Sequence, residues 1–283
     1  MVCSRTNRHL SRRSWRQAFA SLVGAFSLTL TSALHAEAPD PYPSAARSYI
    51  VVVDDQLLWQ RAPTQQLQPA SLAKLLTALV VLESNWDSER WLTVSKYAAS
   101  VPPSRLGLNA GEEITAGAAL AATLIRSAND ACRVLVESVT SDLTEFRSRM
   151  QARAGRLGMS DSRFIDPCGF DAPGQYSTAA DLLKLARAAR SVPLIAHLSA
   201  LPQAQLTTRA GRTIKFMSTN ALLGRLEGTE GLKTGNTSQA GQCLIAYVRR
   251  RDHDVWLVML GGTERWWLAH GMIEDAFGSI LAN

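Results

Sequence analysis

Histidine and cysteine are scarce in this chain of 283 residues, and their scarcity excludes several chemistries. There are five histidines, two of which, His9 and His35, lie in the first forty positions; His197, His253 and His270 are scattered. No C-x-x-C, H-x-x-x-H or histidine-rich spacing is present, so neither a metal site nor a serine–histidine triad has a local signature. No metal and no cofactor is expected. Of four cysteines, Cys3 sits in the N-terminal segment, and Cys132, Cys168 and Cys243 are too few and odd in number to form a disulfide framework. Cys132 on an apolar helix and Cys243 in a strand read as small buried hydrophobes, and Cys168, in a Pro-Cys-Gly loop, as the more exposed one. No internal repeat or low-complexity run is visible, and a 46% hydrophobic composition excludes disorder.

Nor does the chain carry a basic stripe interleaved with aromatics. The formal charge of +6 is concentrated at the N-terminus: Arg5, Arg8, Arg12, Arg13 and Arg16 precede an uncharged stretch from Gln17 to Leu34 and the small-x-small string Ala36-Glu37-Ala38. This is the pattern of a secretory signal peptide over residues 1–38, with an uncleaved membrane anchor as the rival reading and Ser11-Arg12-Arg13 a faint twin-arginine signal. Without that segment the remaining charge is small, and no nucleic-acid partner is expected.

What is present are three short strings in order: Ser71-Leu72-Ala73-Lys74, Ser127-Ala128-Asn129 and Lys233-Thr234-Gly235. Any S-x-x-K arises by chance about once in a chain of this size, so order and context carry the weight. Around the first string, apolar residues recur at 72, 75, 76, 79 and 82, the interval of a buried helix over 69–84 with Ser71 in its first turn. There the hydroxyl lies beside unpaired N–H groups and the positive end of the helix dipole, with Lys74 one turn later on the same face.

Tyr49–Val53 and Leu57–Trp59 read as a hairpin, as do 242–249 and 255–260, with Lys233-Thr234-Gly235 on a strand just before the second. Helices are expected over 116–126, 130–140, 143–156, 178–190 and 265–281. Strands at both ends and helices between them suggest an α/β fold of the α+β type, a sheet built from the termini with a helical lobe and a cleft between.

The strings P-A-S-L-x-K-L-x-T, S-A-N-D-A-C and G-L-K-T-G-N-T-x-x-A-G together resemble the low-molecular-weight penicillin-binding proteins, the serine D-alanyl-D-alanine carboxypeptidases and endopeptidases. Further agreement lies in Leu157-Gly158-Met159 to Phe164, Gly169-Phe170-Asp171, Gly174 to Asp181 and Gly261-Gly262, so the likeness covers about Ser48 to the C-terminus. It implies a five-stranded antiparallel sheet flanked by helices, and a catalytic domain over 39–283. Carboxypeptidase members commonly continue into a C-terminal β-domain and an amphipathic membrane anchor; neither is expected here, which gives weight to the endopeptidases.

Chemically, a serine needs a base, and Lys74 serves only if neutral; burial and the second cation, Lys233, would both lower its pKa. Ser127 would pass a proton to the leaving amine, and Asn129 would hold Lys74 or a substrate amide. Lys233 and Thr234 would meet the substrate's terminal carboxylate, and Gly235 would let its backbone approach. By resemblance, the Ser71 and Asn236 N–H groups form the oxyanion hole and Arg265 matches a carboxylate-binding arginine, although Trp266-Trp267 departs from the usual pattern. Ser218-Thr219-Asn220, a second S-x-N, is set aside as the approach to the sheet.

The resulting expectation is a periplasmic, penicillin-sensitive enzyme acting through an acyl-enzyme on peptidoglycan stem peptides ending in D-Ala-D-Ala, as carboxypeptidase or, alternatively, as endopeptidase on cross-links. β-Lactams would be covalent inhibitors. A class A-like β-lactamase is disfavoured because no E-x-x-L-N string supplies the deacylating glutamate. A non-catalytic wall-binding module is the third alternative.

Overall fold

The computed structural model describes residues 40–281; the signal-peptide reading of 1–38 lies outside them. Among the described residues no helix is long and apolar enough to cross a membrane.

The first hairpin is β1 (Ala46–Val53) and β2 (Gln56–Arg61). A 3-10 turn, Ala70–Leu72, leads into α1 (Ala73–Leu82), so Ser71 sits in a tight turn just ahead of the α-helix expected over 69–84. A small pair, β3 (Trp91–Thr93) and β4 (Glu113–Thr115), brackets the short α2 (Lys96–Ser100). Then come α3 (Ala116–Ile125), α4 (Asn129–Val139), α5 (Leu143–Arg156) and α6 (Ala179–Arg190), within a residue or so of the spans their periodicity predicts. Their starts have the expected chemistry: the Ala118, Thr144 and Asp181 N–H groups donate to the side chains of Thr115, Asp142 and Thr178.

The sequence reading omitted α7 (Pro193–Ala200) and the hairpin β5 (Gln203–Thr207) and β6 (Thr213–Met217). The chain then returns to the sheet as β7 (Thr229–Thr237), β8 (Gly241–Arg250) and β9 (His253–Gly262), and closes with α8 (Arg265–Leu281).

The main sheet is wholly antiparallel, in the order β2-β1-β9-β8-β7. Its centre pairs the two termini, Val51 opposite Leu257, as a sheet built from the ends requires. Side chains alternate between its faces. Tyr49, Val51, Leu244, Leu257 and Met259 pack under Met272 and Ile273 of α8. Ile50, Val52, Ile245 and Val258 face the larger core that includes Leu75, Leu79 and Leu182 of the helical lobe. The motif-bearing strand β7 is an edge strand, which leaves one of its sides for the cleft.

Candidate active site

The nucleophile's turn is held from two sides by glycines. Gly169 has φ +81°, and a Cβ there would stand 2.1 Å from the Ala70 carbonyl oxygen and 2.8 Å from the Ser71 nitrogen. A Cβ on Gly235 would lie 2.9 Å from the Ala70 Cβ and 3.1 Å from the same nitrogen. Gly235 therefore makes room for the chain's own turn. Between them Ala70 takes φ +50°, and across the cleft Ser127 takes φ +60°, two non-glycine residues in the left-handed region.

The three strings converge. Lys74 Nζ donates to Ser71 Oγ at 2.9 Å, to Asn129 Oδ1 at 2.8 Å and to the Cys168 carbonyl. Asn129 Nδ2 in turn donates to the Pro102 carbonyl at 3.1 Å, which fixes its amide. Lys233 Nζ donates to Ser127 Oγ at 2.8 Å and to the Thr234 carbonyl at 2.9 Å. Both lysines are fully buried, while Ser71 keeps partial exposure. Asn236 is exposed and follows Gly235 on β7, so its backbone belongs to the strand that passes the Ser71 N–H.

Burial is the largest cause holding Lys74 down, to a pKa of about 7; Arg133 lowers it further and Asp166 opposes. Arg133 is thus a cation beside Lys74 to which the sequence did not point. The Lys233 ammonium is disfavoured first by burial, then by Lys74 and by Arg265, so the two lysines oppose each other's charge.

Arg265 reaches β7, but its Nη1 is engaged by the Gly235 carbonyl at 2.6 Å and the Cys243 carbonyl at 3.1 Å, with the guanidinium 4.4 Å from the Trp266 ring centroid. Its direct contacts are with the strand's backbone.

Of the loop 166–171 the likeness took in only Gly169-Phe170-Asp171, yet the whole loop is part of the site. Cys168 is buried and disulfide-bonded to Cys132, which corrects the reading of Cys168 as exposed and of Cys132 as a simple buried hydrophobe; Cys243 stays a free buried thiol. Arg133 and Asp166 form a buried ion pair, and Asp166 Oδ1 also accepts from the Cys168 and Phe170 N–H groups at 2.8 and 3.1 Å. Thr219, in the string set aside, has its hydroxyl 2.6 Å from that of Thr234. A lone threonine in a loop carries no signal that could have found it.

An alcohol against a buried amine, with a second buried amine opposite, is an arrangement for acyl transfer. Residues 34–264 match the peptidase S11 family, described as D-alanyl-D-alanine carboxypeptidase. A D-alanyl-D-alanine endopeptidase of Pseudomonas aeruginosa is 31% identical over 87% of this chain and 83% of its own length. The D-alanyl-D-alanine carboxypeptidase DacF of Bacillus subtilis is 27% identical over 86% of this chain, which spans 65% of that longer protein. Among solved structures, penicillin-binding protein D2 of Listeria monocytogenes, in its cefotaxime-bound form, superposes with a TM-score of 0.73 at 28% identity, covering 85% of this chain and all of the other. The chain belongs to the peptidase S11 family of D-alanyl-D-alanine carboxypeptidases.

Proposed function

We propose that this chain is a serine DD-peptidase that cleaves peptidoglycan stem peptides at the bond after the penultimate D-alanine, through an acyl-enzyme on Ser71. The observation that carries the reading is Lys74 Nζ, 2.9 Å from Ser71 Oγ and held near a pKa of 7. An amine of that pKa is substantially neutral at physiological pH and so able to accept the hydroxyl proton.

The sequence of events follows from the contacts. The substrate carboxylate meets Lys233 and Thr234; its charge favours the ammonium form of Lys233, which in turn disfavours a charged Lys74 and keeps the base free. Ser71 Oγ attacks the carbonyl carbon as its proton passes to Lys74. The oxyanion is met by the Ser71 and Asn236 N–H groups. Ser127, bonded to Lys233, hands a proton to the departing amine as the C–N bond breaks and is resupplied with the proton that Lys74 took from Ser71, while Asn129 keeps Lys74 in place. Water then attacks the ester carbon as its proton passes to the again neutral Lys74, which returns it to Ser71 Oγ as the C–O bond breaks. Removal of a terminal D-alanine and cleavage of a cross-link are the same chemistry with different leaving amines.

β-Lactams would acylate the same oxygen. Residues 1–38 would act as the export signal for a catalytic domain over 39–283 working outside the cytoplasm, in the periplasm. The test is labelling with fluorescent penicillin: covalent label on the wild type that vanishes in Ser71→Ala supports the reading, and an unlabelled wild type rejects it.

A further inference from the structure

Beyond the catalytic residues lies a groove of about 690 Å³ that the mechanism does not use. Its walls are Arg105 and Leu106, Arg126 at the end of α3, and the β5–β6 hairpin, including Gln203, Lys215 and Phe216. It adjoins the site through the chain itself. Arg126 precedes Ser127, and Met217 at the groove's rim is two residues before Thr219. Thr219 N–H donates to the Ile125 carbonyl at 3.0 Å and its hydroxyl meets that of Thr234. The groove's wall is thus joined to Ser127 and to Thr234, which in the proposed reaction serve, with Lys233, the leaving half of the substrate.

Its charge is one-signed. Arg105, Arg126 and Lys215 line it, and no aspartate or glutamate does. Elsewhere on the same hairpin loop, Arg209 and Arg212 are neutralised by Glu113 and Glu112. Among the described residues Arg126 and Lys215 pair with no carboxylate, and Arg105 donates only to the Ala99 and Val101 carbonyls. A departing D-alanine ends at its own carboxylate and has no atoms to place in this volume. A leaving amine that belongs to a second stem peptide does have them, together with that peptide's further carboxylates.

We infer that the groove is the subsite for the leaving half of a cross-linked peptide, with Arg126 and Lys215 pairing to its carboxylates and the glutamines and the exposed Met217 meeting its backbone and apolar parts. This rests on the DD-peptidase reading and narrows it: cross-linked dimers are the preferred substrate class.

The test compares kcat/KM for a cross-linked muropeptide dimer with that for an uncross-linked pentapeptide, in the wild type and in the Arg126→Gln/Lys215→Gln double variant. The dimer-to-monomer ratio is expected to fall about tenfold in the variant, to fall in the wild type as salt is raised, and to recover in Arg126→Lys/Lys215→Arg. Binding of the dimer to Ser71→Ala protein, by calorimetry, gives a readout free of turnover and should weaken about tenfold on adding the two glutamines. An unchanged ratio, or no dimer affinity that depends on these two residues, overturns the inference. Penicillin labelling separates the two levels: labelled Ser71 with an unchanged ratio sinks only the groove, whereas absent labelling sinks the peptidase reading itself.

Discussion

The sharpest consequence of the site concerns the protonation of Lys74. With a pKa of about 7, the neutral fraction is about 9% at pH 6 and about 91% at pH 8, so the acylation rate should climb about tenfold between them. At its ordinary value of 10.5 the amine would be neutral in only about 0.03% of molecules at pH 7, so burial raises the base population by a factor of order a thousand, a shift worth about 5 kcal/mol. Arg133→Gln tests the cause. It removes the cation that lowers Lys74 and leaves Asp166, which raises it, so the rising limb should move to higher pH. Breaking a buried ion pair costs about 3–5 kcal/mol of stability, so the fold is to be checked by circular dichroism first. The assay is the second-order rate of acylation by fluorescent penicillin between pH 5.5 and 9. A rate flat from pH 6 to 8, or a limb moved downward in Arg133→Gln, would refute the reasoning. Lys74→Arg, charged throughout this range, should scarcely acylate at all.

Three further outcomes follow from the same geometry. The Cys132–Cys168 bridge closes a loop with sequence separation 36, for which loop entropy gives about 4 kcal/mol; Cys132→Ser/Cys168→Ser should lower Tm by roughly 8–15 °C in calorimetry and slow acylation, because the Cys168 carbonyl holds Lys74. Gly169→Ala should abolish labelling, since its Cβ would enter the Ala70 carbonyl, whereas Gly158→Ala, at φ +70° with nothing within 4 Å, should cost only about 1 kcal/mol and retain it. Stability itself should depend on pH. The unfolded chain keeps the Lys74 proton up to 10.5 while the folded one releases it near 7, so the burial penalty is full below pH 7 and stability rises above it, by up to about 1.4 kcal/mol per pH unit from this group. Lys233 acts in the same sense. Above pH 9 the Cys243 thiol, held protonated up to about 11 when folded, opposes this slope and flattens it. Urea unfolding at pH 7 and 9 measures it, and a lower stability at pH 9 would contradict the assignment.

What could be read from the sequence was whatever repeats along the chain at a fixed interval. The apolar rows at 72, 75, 76, 79 and 82 gave α1, and the β-branched runs in β1, β8 and β9 gave the sheet, because each buries a periodic face. The hairpin β5–β6 carries one buried side chain per strand, Leu206 and Phe216, too few to make a pattern. The Cys132–Cys168 pairing and the Arg133–Asp166 ion pair join segments more than thirty residues apart, and sequence alone does not choose among partners. The packing of Gly235 against the Ala70–Ser71 turn was hidden for the same reason: that turn is distant in the chain.

These long-range ties nonetheless converge on one local string. Asn129, Cys132 and Arg133 stand at i, i+3 and i+4 at the start of α4 and so share a face. Asn129 accepts from Lys74, Cys132 binds the residue whose carbonyl also accepts from Lys74, and Arg133 pairs with the aspartate that shapes that residue's loop. Asp130, pointing elsewhere, accepts from the N–H groups of Leu106, Gly107 and Leu108 and so fixes a wall of the cationic groove. A single helical turn thus positions both the base and the flank of the proposed leaving-group subsite. It follows that Asn129→Ala should act on the base alone, by removing its acceptor, while Asp130→Asn, which keeps the shape and weakens the acceptor, should act on the groove. If the dimer-to-monomer ratio fell in Asn129→Ala and held in Asp130→Asn, that division of labour would be wrong.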